Sequence, residues 1–249
     1  SPLASLGENA AMSGNCLVPP RSARGEQGNG DGCPFGAPLI AAIGYDACLM
    51  GMIEVAYEPK RSSEVMVASE ETEPCDGWPY EQIMRALVSN PTMDAALLGS
   101  ITVREYINSY PLESAVTLSA VHTTSSLDNL ASATTAFANA MMASGEWTQI
   151  KQARASTENF YYSSGADLYD FAKEVYIRIS SQAVKDAAIA LGNAINNNVI
   201  AEAHKSGHPE VHGIAIYFPS SYGPSPTYYS TNFAINTSWD EFLDEYATH

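Results

Sequence analysis

Two neighbouring side chains invite chemistry: the thiol of Cys48 and, two residues before it, the carboxylate of Asp46. They follow an apolar run, Leu39-Ile40-Ala41-Ala42-Ile43, flanked by Pro38 and Gly44. Such a run reads as a fully buried strand of the kind found in parallel sheets. Met50, Ile53, Val55 and Ala56 then recur at spacings that suit a short helix, so the thiol is expected where a strand ends and a helix begins. Ligands of open α/β sheets sit at that edge, and a helix N-terminus favours the thiolate, the nucleophilic form. Free cysteine is also among the residues most often buried as small hydrophobes. Core packing does not call for the charge of Asp46, and that carboxylate turns the reading toward Cys48 as a nucleophile.

A second cluster follows the short apolar run Val65-Met66-Val67-Ala68. It is the turn-rich loop Ser69 to Tyr80, with four carboxylates, Glu70, Glu71, Glu73 and Asp76. By the sheet-edge argument this loop approaches Cys48. Carboxylates beside a thiol oppose its ionisation, which is useful only if they serve something else, and a substrate cation is that something. Asp76 also reads as an ordinary turn residue before Gly77. Cys75 is a rival nucleophile in the same loop, and its nearness raises a redox lock with Cys48. All five histidines, His122, His204, His208, His212 and His249, lie downstream of the thiol. His122 is expected to begin a helix, His204 and His208 to sit solvated in a loop, and His212 to precede a strand.

The elements that must position these groups alternate between strand and helix. Strands are expected at Leu39 to Ile43, Val65 to Ala68, Ala115 to Val121 and Gly213 to Phe218. Helices are expected at Glu81 to Val88, Asp94 to Tyr110, Leu127 to Met142, Gly165 to Ile179, Ser181 to Ala203 and Trp239 to Tyr246. The Asn196-Asn197-Asn198 run is expected to interrupt only the polar side of the helix it falls in. This alternation predicts an α/β fold, a layered sheet with helices on both faces. Three parts are expected: a mobile N-terminal segment over 1–37, rich in Gly and Pro with Arg21 and Arg24 exposed; a core carrying the nucleophile over 38–121; and a helix-rich part with a returning strand over 122–249.

At 249 residues and 45% apolar composition the chain is long enough for a substantial core. Its formal charge of −16, with only 12 basic residues, disfavours nucleic acid as a partner and suits cationic partners. No apolar run is long enough to span a membrane. The first residue is Ser and the opening residues lack a signal-peptide pattern, so this end is expected to be the product of a cut. Four cysteines do not make a disulfide scaffold at this length, although Cys16 and Cys33 bracket a loop that an oxidising compartment would bridge. No Cys-x-x-Cys pair suggests zinc.

The stretches DACLMGMIEVAYE (Asp46 to Glu58) and VASEETEPCDGWPYEQI (Val67 to Ile83) resemble the clostripain family of cysteine endopeptidases, in the broad group of caspases, legumains and gingipains. Weaker similarity runs through TLSAV (Thr117 to Val121), DLYDFA (Asp167 to Ala172), HGIAIYFPSSY (His212 to Tyr222) and SWDEFLDEY (Ser238 to Tyr246). The resemblance implies a caspase-like three-layer α/β/α sandwich with a mostly parallel sheet, secreted or in the cell envelope. It implies Cys48 as nucleophile, and Asp46 and Asp76 as the lining of a pocket for an Arg or Lys side chain before the scissile bond. Members commonly carry a small residue where Cys75 stands. They carry their catalytic histidine in a His-Gly motif upstream of the cysteine strand, where this chain has none.

Three explanations stand: a separate light chain, produced by a cut, carries the histidine; the chain is inactive or truncated; or one of its own five histidines substitutes. His212 is the one followed by glycine, but Gly213 leads into a strand. The first explanation fits a chain whose nucleophile comes so soon after its first residue. An inactive binding module for basic peptides, or a structural part of a larger assembly, is the alternative to an enzyme. The chemistry itself requires no cofactor, although some relatives depend on calcium and the acidic loops would tolerate it.

Overall fold

The computed structural model describes residues 40–220 and 222–249. The expectations for the segment 1–37, including Arg21, Arg24 and a bridge between Cys16 and Cys33, lie outside the described residues.

In chain order the elements are β1 (Ile40–Gly44), α1 (Ile53–Tyr57), β2 (Ser63–Ala68), α2 (Tyr80–Ser89), α3 (Ala95–Ser109) and β3 (Thr117–His122). They continue with α4 (Ser125–Ser144), α5 (Trp147–Ser156), β4 (Gly165–Asp167), α6 (Leu168–Arg178), α7 (Gln182–Asn198), β5 (Val199–His204), β6 (Ala215–Tyr217), α8 (Asn232–Asn236) and α9 (Trp239–Thr248). The strands β1, β2, β3 and β5 form one sheet in that order, and β4 pairs with β6 as a separate ribbon.

Among the described strands the sheet is mixed rather than mostly parallel: β1 and β2 run parallel, whereas the β2–β3 and β3–β5 pairs are antiparallel. The cause is the number of helices in each connection. One helix returns the chain to the end of the sheet it left, giving a parallel neighbour. Two helices, α2 and α3, deliver it to the opposite end, and so do the four between β3 and β5.

Strand periodicity of two builds the layers. Val65 and Val67 point to one face and pack with Leu118 and Ala120 against Val103, Tyr106 and Ile107 of α3. Met66, Ala68 and Val121 point to the other, into the larger core that contains Phe137 of α4, Phe171 of α6, Leu191 of α7 and Trp239 of α9. The result is helix, sheet, helix. Asp94 starts α3 by accepting the Leu97 amide at 2.8 Å, and Asp167 starts α6 by accepting the Asp170 amide at 2.6 Å.

Three local expectations fail. The first strand is not fully buried: Ile40 is 56% exposed, β1 is the edge of the sheet, and among the described residues nothing pairs with its outer side. An apolar run reports only that a strand is favourable, not how many neighbours it has. The helix expected to reach Ala203 stops at Asn198, because Val199 is extended and the residues after it pair with β3. Asn198 is fully buried, and its side-chain amide donates to the His122 carbonyl at 2.9 Å and to Ser126 at 2.8 Å, so it ends the helix by anchoring it. The helix expected from Gly165 starts three residues late, after the short strand β4 that pairs with β6.

Candidate active site

The chain leaves β1 at Gly44 and turns, with Cys48 exposed and Leu49 buried. The helix expected to begin at the thiol does not: α1 starts only at Ile53 and has five residues. Two pairings occupy the backbone between them. The Gly51 amide donates to the Ser69 carbonyl at 2.6 Å, and Met52 bridges to Ala215. Leu49 sits at a φ of 62°, a left-handed conformation costly for a branched side chain. Burial of its side chain and donation of its amide to the Glu71 carbonyl at 3.1 Å hold that turn. A strained, anchored turn rather than a helix dipole therefore presents the sulfur.

The loop after β2 reaches Cys48 as expected, and its start is bolted into the protein. The Ser69 hydroxyl bonds to that of Thr117 at 3.1 Å, Glu70 accepts the Gly213 amide at 3.1 Å, and Glu71 accepts the Tyr161 amide at 3.0 Å. Glu73 then donates its amide to Cys48 Sγ at 3.3 Å. Its carboxylate accepts from Trp78 Nε1 at 3.2 Å, and the Tyr80 hydroxyl donates to Asp46 at 2.8 Å. Two glycines permit this closeness. A Cβ on Gly44 would lie 2.8 Å from the Trp78 ring, and Gly77, at a φ of 61°, lies so near Asp46 that a Cβ there would be 3.0 Å from its carboxylate.

Asp46 and Glu73 share one proton. Burial, followed by the hydrogen bond and charge of Asp46, pushes the Glu73 carboxyl up to about 8. Burial also pushes Asp46 up, but hydrogen bonds from Glu73, Tyr80 and Trp78 outweigh it and hold Asp46 below the usual range. Near neutral pH the pair thus carries one negative charge, with the proton on Glu73. Beneath them the fully buried Tyr106 has a hydroxyl with no partner, raised by burial and by the charges of Glu73, Tyr110, Asp46 and Cys48. Asp76 is exposed on the turn that also holds Gly77. After burial its charge is the next cause raising the Tyr110 hydroxyl, ahead of Glu73 and Asp46, and that hydroxyl donates to the Gly77 carbonyl at 2.8 Å.

The structure therefore brings Asp46 against the turn that bears Asp76 and places Cys48 beside Glu73. Glu73 is the site residue that sequence reasoning did not single out. It was one of four acids in a loop, and only the fold shows that its amide meets the sulfur while its carboxyl meets Asp46. Cys48 and Cys75 are both exposed free thiols.

No histidine hydrogen-bonds to Cys48, and each has another place. His122 ends β3 instead of beginning a helix. His204, the last residue of β5, pairs with Glu202 at 2.7 Å. His208 is buried rather than solvated, with Glu71 and Glu158 each at 3.1 Å. His212 stacks on Tyr169 with centroids 4.3 Å apart, and His249 stacks on Trp147 at 4.6 Å. Among the described residues no group of three or more His, Cys, Asp or Glu side chains is placed to hold a metal ion.

Helix, sheet and helix layers, with an exposed thiol on the rim of the sheet facing a carboxylate-lined loop, make up a caspase-like α/β fold. The Clostripain family model matches residues 36–246, and the chain belongs to that family of cysteine proteases. Among solved structures it is similar to a clostripain from Bacteroides thetaiotaomicron in complex with the peptide inhibitor BTN-VLTK-AOMK, with a TM-score of 0.62 and 18% identity over 80% of this chain and 87% of that one. It is similar also to an inactive zymogen C11 protease from Parabacteroides distasonis, with a TM-score of 0.60 and 17% identity over 81% of this chain and 59% of that one. A secreted C11 cysteine protease from Bacteroides thetaiotaomicron, bound to an irreversible peptide inhibitor, gives a TM-score of 0.59 and 19% identity over 82% of this chain and 60% of that one. This chain thus spans about three-fifths of the length of the last two. Comparison with curated proteins gives no match.

Proposed function

We propose that this chain carries the nucleophile and the specificity pocket of an endopeptidase that cleaves after Arg, and less well after Lys, with the imidazole supplied by a separate light chain. The observation that carries this reading is the exposed Cys48 sulfur, which accepts the Glu73 amide, with the Asp46 carboxylate held beside it by Trp78 and Tyr80 of the same acidic loop. A guanidinium entering between Asp46 and Glu73 replaces the proton they share and takes paired hydrogen bonds, which favours Arg over the point charge of Lys. Asp76, exposed on the same turn, adds charge at the mouth. The peptide inhibitor of the Bacteroides thetaiotaomicron clostripain is spelt VLTK, with a basic residue last, which agrees with a cationic side chain in such a pocket.

Two features support a companion chain. The outer edge of β1, directly before the Cys48 turn, has no partner strand among the described residues, and a further strand would satisfy its backbone groups. Four of the five histidines pair or stack elsewhere, and His122 ends β3. In the assembled enzyme the imidazole takes the Cys48 proton as Sγ attacks the scissile carbonyl. It returns the proton to the leaving amine as the acyl-thioester forms. Water, deprotonated by the same imidazole, then hydrolyses the thioester and restores the thiol. The chain is proposed to act outside the cytosol, as the secreted relative does. Among the described residues no helix is long and apolar enough to cross a membrane.

Replacing Cys48 with Ala is expected to abolish cleavage of an Arg-containing reporter by the assembled enzyme, and persistent turnover would remove Cys48 from the role. Asp76→Asn should weaken Arg substrates more than neutral ones. The second reading, a non-catalytic module that binds basic peptides, is favoured by the lack of any imidazole at the thiol. It predicts Arg-peptide binding with no hydrolysis even when a His-Gly-bearing light chain is present.

A further inference from the structure

We propose that His208 is a positioning residue for this protease: by bridging Glu71 and Glu158 it holds the turn and loop that frame the Cys48 sulfur. The proposal rests on the reading of Cys48 as nucleophile. Its own basis is a continuous set of contacts.

His208 is 8% exposed. Its Nε2 lies 3.1 Å from Glu71 Oε2 and its Nδ1 3.1 Å from Glu158 Oε1, so both ring nitrogens face carboxylates. A neutral imidazole has one N–H and satisfies one of them. Only the imidazolium donates to both. The ring also packs against Phe160 with centroids 5.6 Å apart. Glu71 is the hub. Its carboxylate accepts the Thr72 amide at 2.5 Å and the Tyr161 amide at 3.0 Å in addition to His208. Its backbone carbonyl accepts the amide of Leu49, the strained residue directly after the nucleophile, at 3.1 Å. Two residues further on, the Glu73 amide donates to the sulfur itself. From imidazolium to nucleophile the links are one side-chain pair, one backbone hydrogen bond and one amide-to-sulfur hydrogen bond.

Three parts of the fold meet here, because His208 lies on the turn after β5, Glu71 on the loop after β2, and Glu158 on the segment before β4. The charged groups facing the ring are Glu71 and Glu158. Behind Glu158, Asp170 of α6 accepts the Glu158 amide at 2.8 Å, and Lys173 pairs with Asp170 and Glu210. On the histidine's own turn the Lys205 carbonyl accepts the His208 amide. No cation stands between the ring and its two carboxylates, so the imidazolium is favoured: the hydrogen bond to Glu71 raises His208 first, burial opposes, and Glu158 adds to the rise. Glu71 is correspondingly lowered, since its bond to His208 and those from Thr72 overcome burial.

The sign follows. A cation whose folded pKa is raised contributes its full clamp below the ordinary histidine range and loses it as pH climbs through the raised value. Loss of the proton releases one carboxylate and loosens Glu71, which shifts the nucleophile. Displacing a reacting group by a fraction of an ångström to an ångström costs about ten- to a hundredfold in rate. The expected signature is in kcat, on basic and neutral substrates alike, with little change in KM because Asp46 stays held by Tyr80 and Trp78.

The test compares wild type, His208→Gln and Glu71→Gln. Two quantities are followed against pH: kcat and KM of the assembled enzyme on an Arg reporter, and the iodoacetamide alkylation rate of Cys48 in this chain, read by peptide mass spectrometry. The proposal expects an alkaline fall in wild-type kcat that is missing from both variants. Their kcat should be already at least about tenfold low at neutral pH, with KM within about twofold, and the pH dependence of Cys48 alkylation should change with it. Glu71→Gln keeps the oxygen that meets both Tyr161 and His208 but removes the charge that favours the imidazolium, and so serves if His208→Gln folds poorly. A wild-type kcat profile and an unaltered alkylation profile in either folded variant would overturn the proposal. So would a loss confined to KM. Alkylation needs no turnover, so the clamp is tested even if Cys48→Ala shows that the protease reading is wrong.

Discussion

The loop after β2 has two halves built on opposite principles. Its first half, Ser69 to Glu71, is buried, and its side chains bond to β3, to the Gly213 turn, to Tyr161 and to His208. Its second half, Glu73 to Tyr80, is half-exposed or exposed and is held mainly by Asp46, Trp78 and Tyr110. Both halves are acidic. In the buried half a carboxylate is a structural bolt whose charge is neutralised by a proton or a histidine. In the open half the Asp46–Glu73 pair keeps one negative charge near solvent, where a cation can reach it. Acid count alone does not separate the roles; burial and partners do.

That contrast breaks most severely at Glu70. Burial, then the charges of Asp167 and Glu202, push its carboxyl well up, and it accepts the Gly213 amide. Glu70→Ala leaves that amide unsatisfied and a cavity in the interior and should cost about 2–4 kcal/mol of stability. The melting temperature should fall by roughly 5–15 °C, measured by calorimetry. A fall of under a degree would place Glu70 with the open half.

Asp46→Asn, on the open side, should do the reverse. Its melting temperature should move little, whereas kcat/KM on an Arg substrate should drop about 10- to 100-fold relative to a neutral one, the worth of one charge-assisted hydrogen bond. Equal losses on both substrates would deny the pocket role.

Glu73→Gln sharpens the comparison through pH. A carboxyl raised from 4.5 to about 8 binds a proton in the folded chain that the unfolded chain releases, so stability falls as pH climbs between those values and then levels. The Gln variant should lose that slope in denaturant titrations at a series of pH values. It should also lose the strengthening of Arg affinity that ionisation of Glu73 gives near pH 8. The smallest effect is expected at the exposed pair Arg85–Glu81, where Arg85→Ala should change stability by under about 1 kcal/mol and leave cleavage untouched.

Much of this was legible in the sequence. Asp46, Cys48 and the acidic loop announced the rim of a sheet, and the helical spacings of α2, α3, α4 and α9 fixed those elements closely. What was not legible depended on distant partners. The Val199–His204 stretch becomes a strand only because β3 lies beside it, which local spacing cannot reveal. β1 reads the same whether it is central or at an edge. Glu73 and His208 were one acid among four and one histidine in a polar turn. Their contacts come from the elements that fold against them, not from their neighbours in the chain. The turn at Cys48 was mistaken for a helix start because Gly51 and Met52 find long-range pairings that outcompete helical bonds.

The central claim is that the Cys48 sulfur attacks a carbonyl while the acids beside it hold a cationic side chain. It is tested most directly by treating the assembled enzyme with a peptide electrophile ending in Arg and mapping the adduct by mass spectrometry. The account predicts labelling at Cys48, slowed by replacing the Arg with a neutral residue and by Asp46→Asn. Labelling of Cys75 with Cys48 left free, or labelling of Cys48 with no preference for Arg, would contradict it.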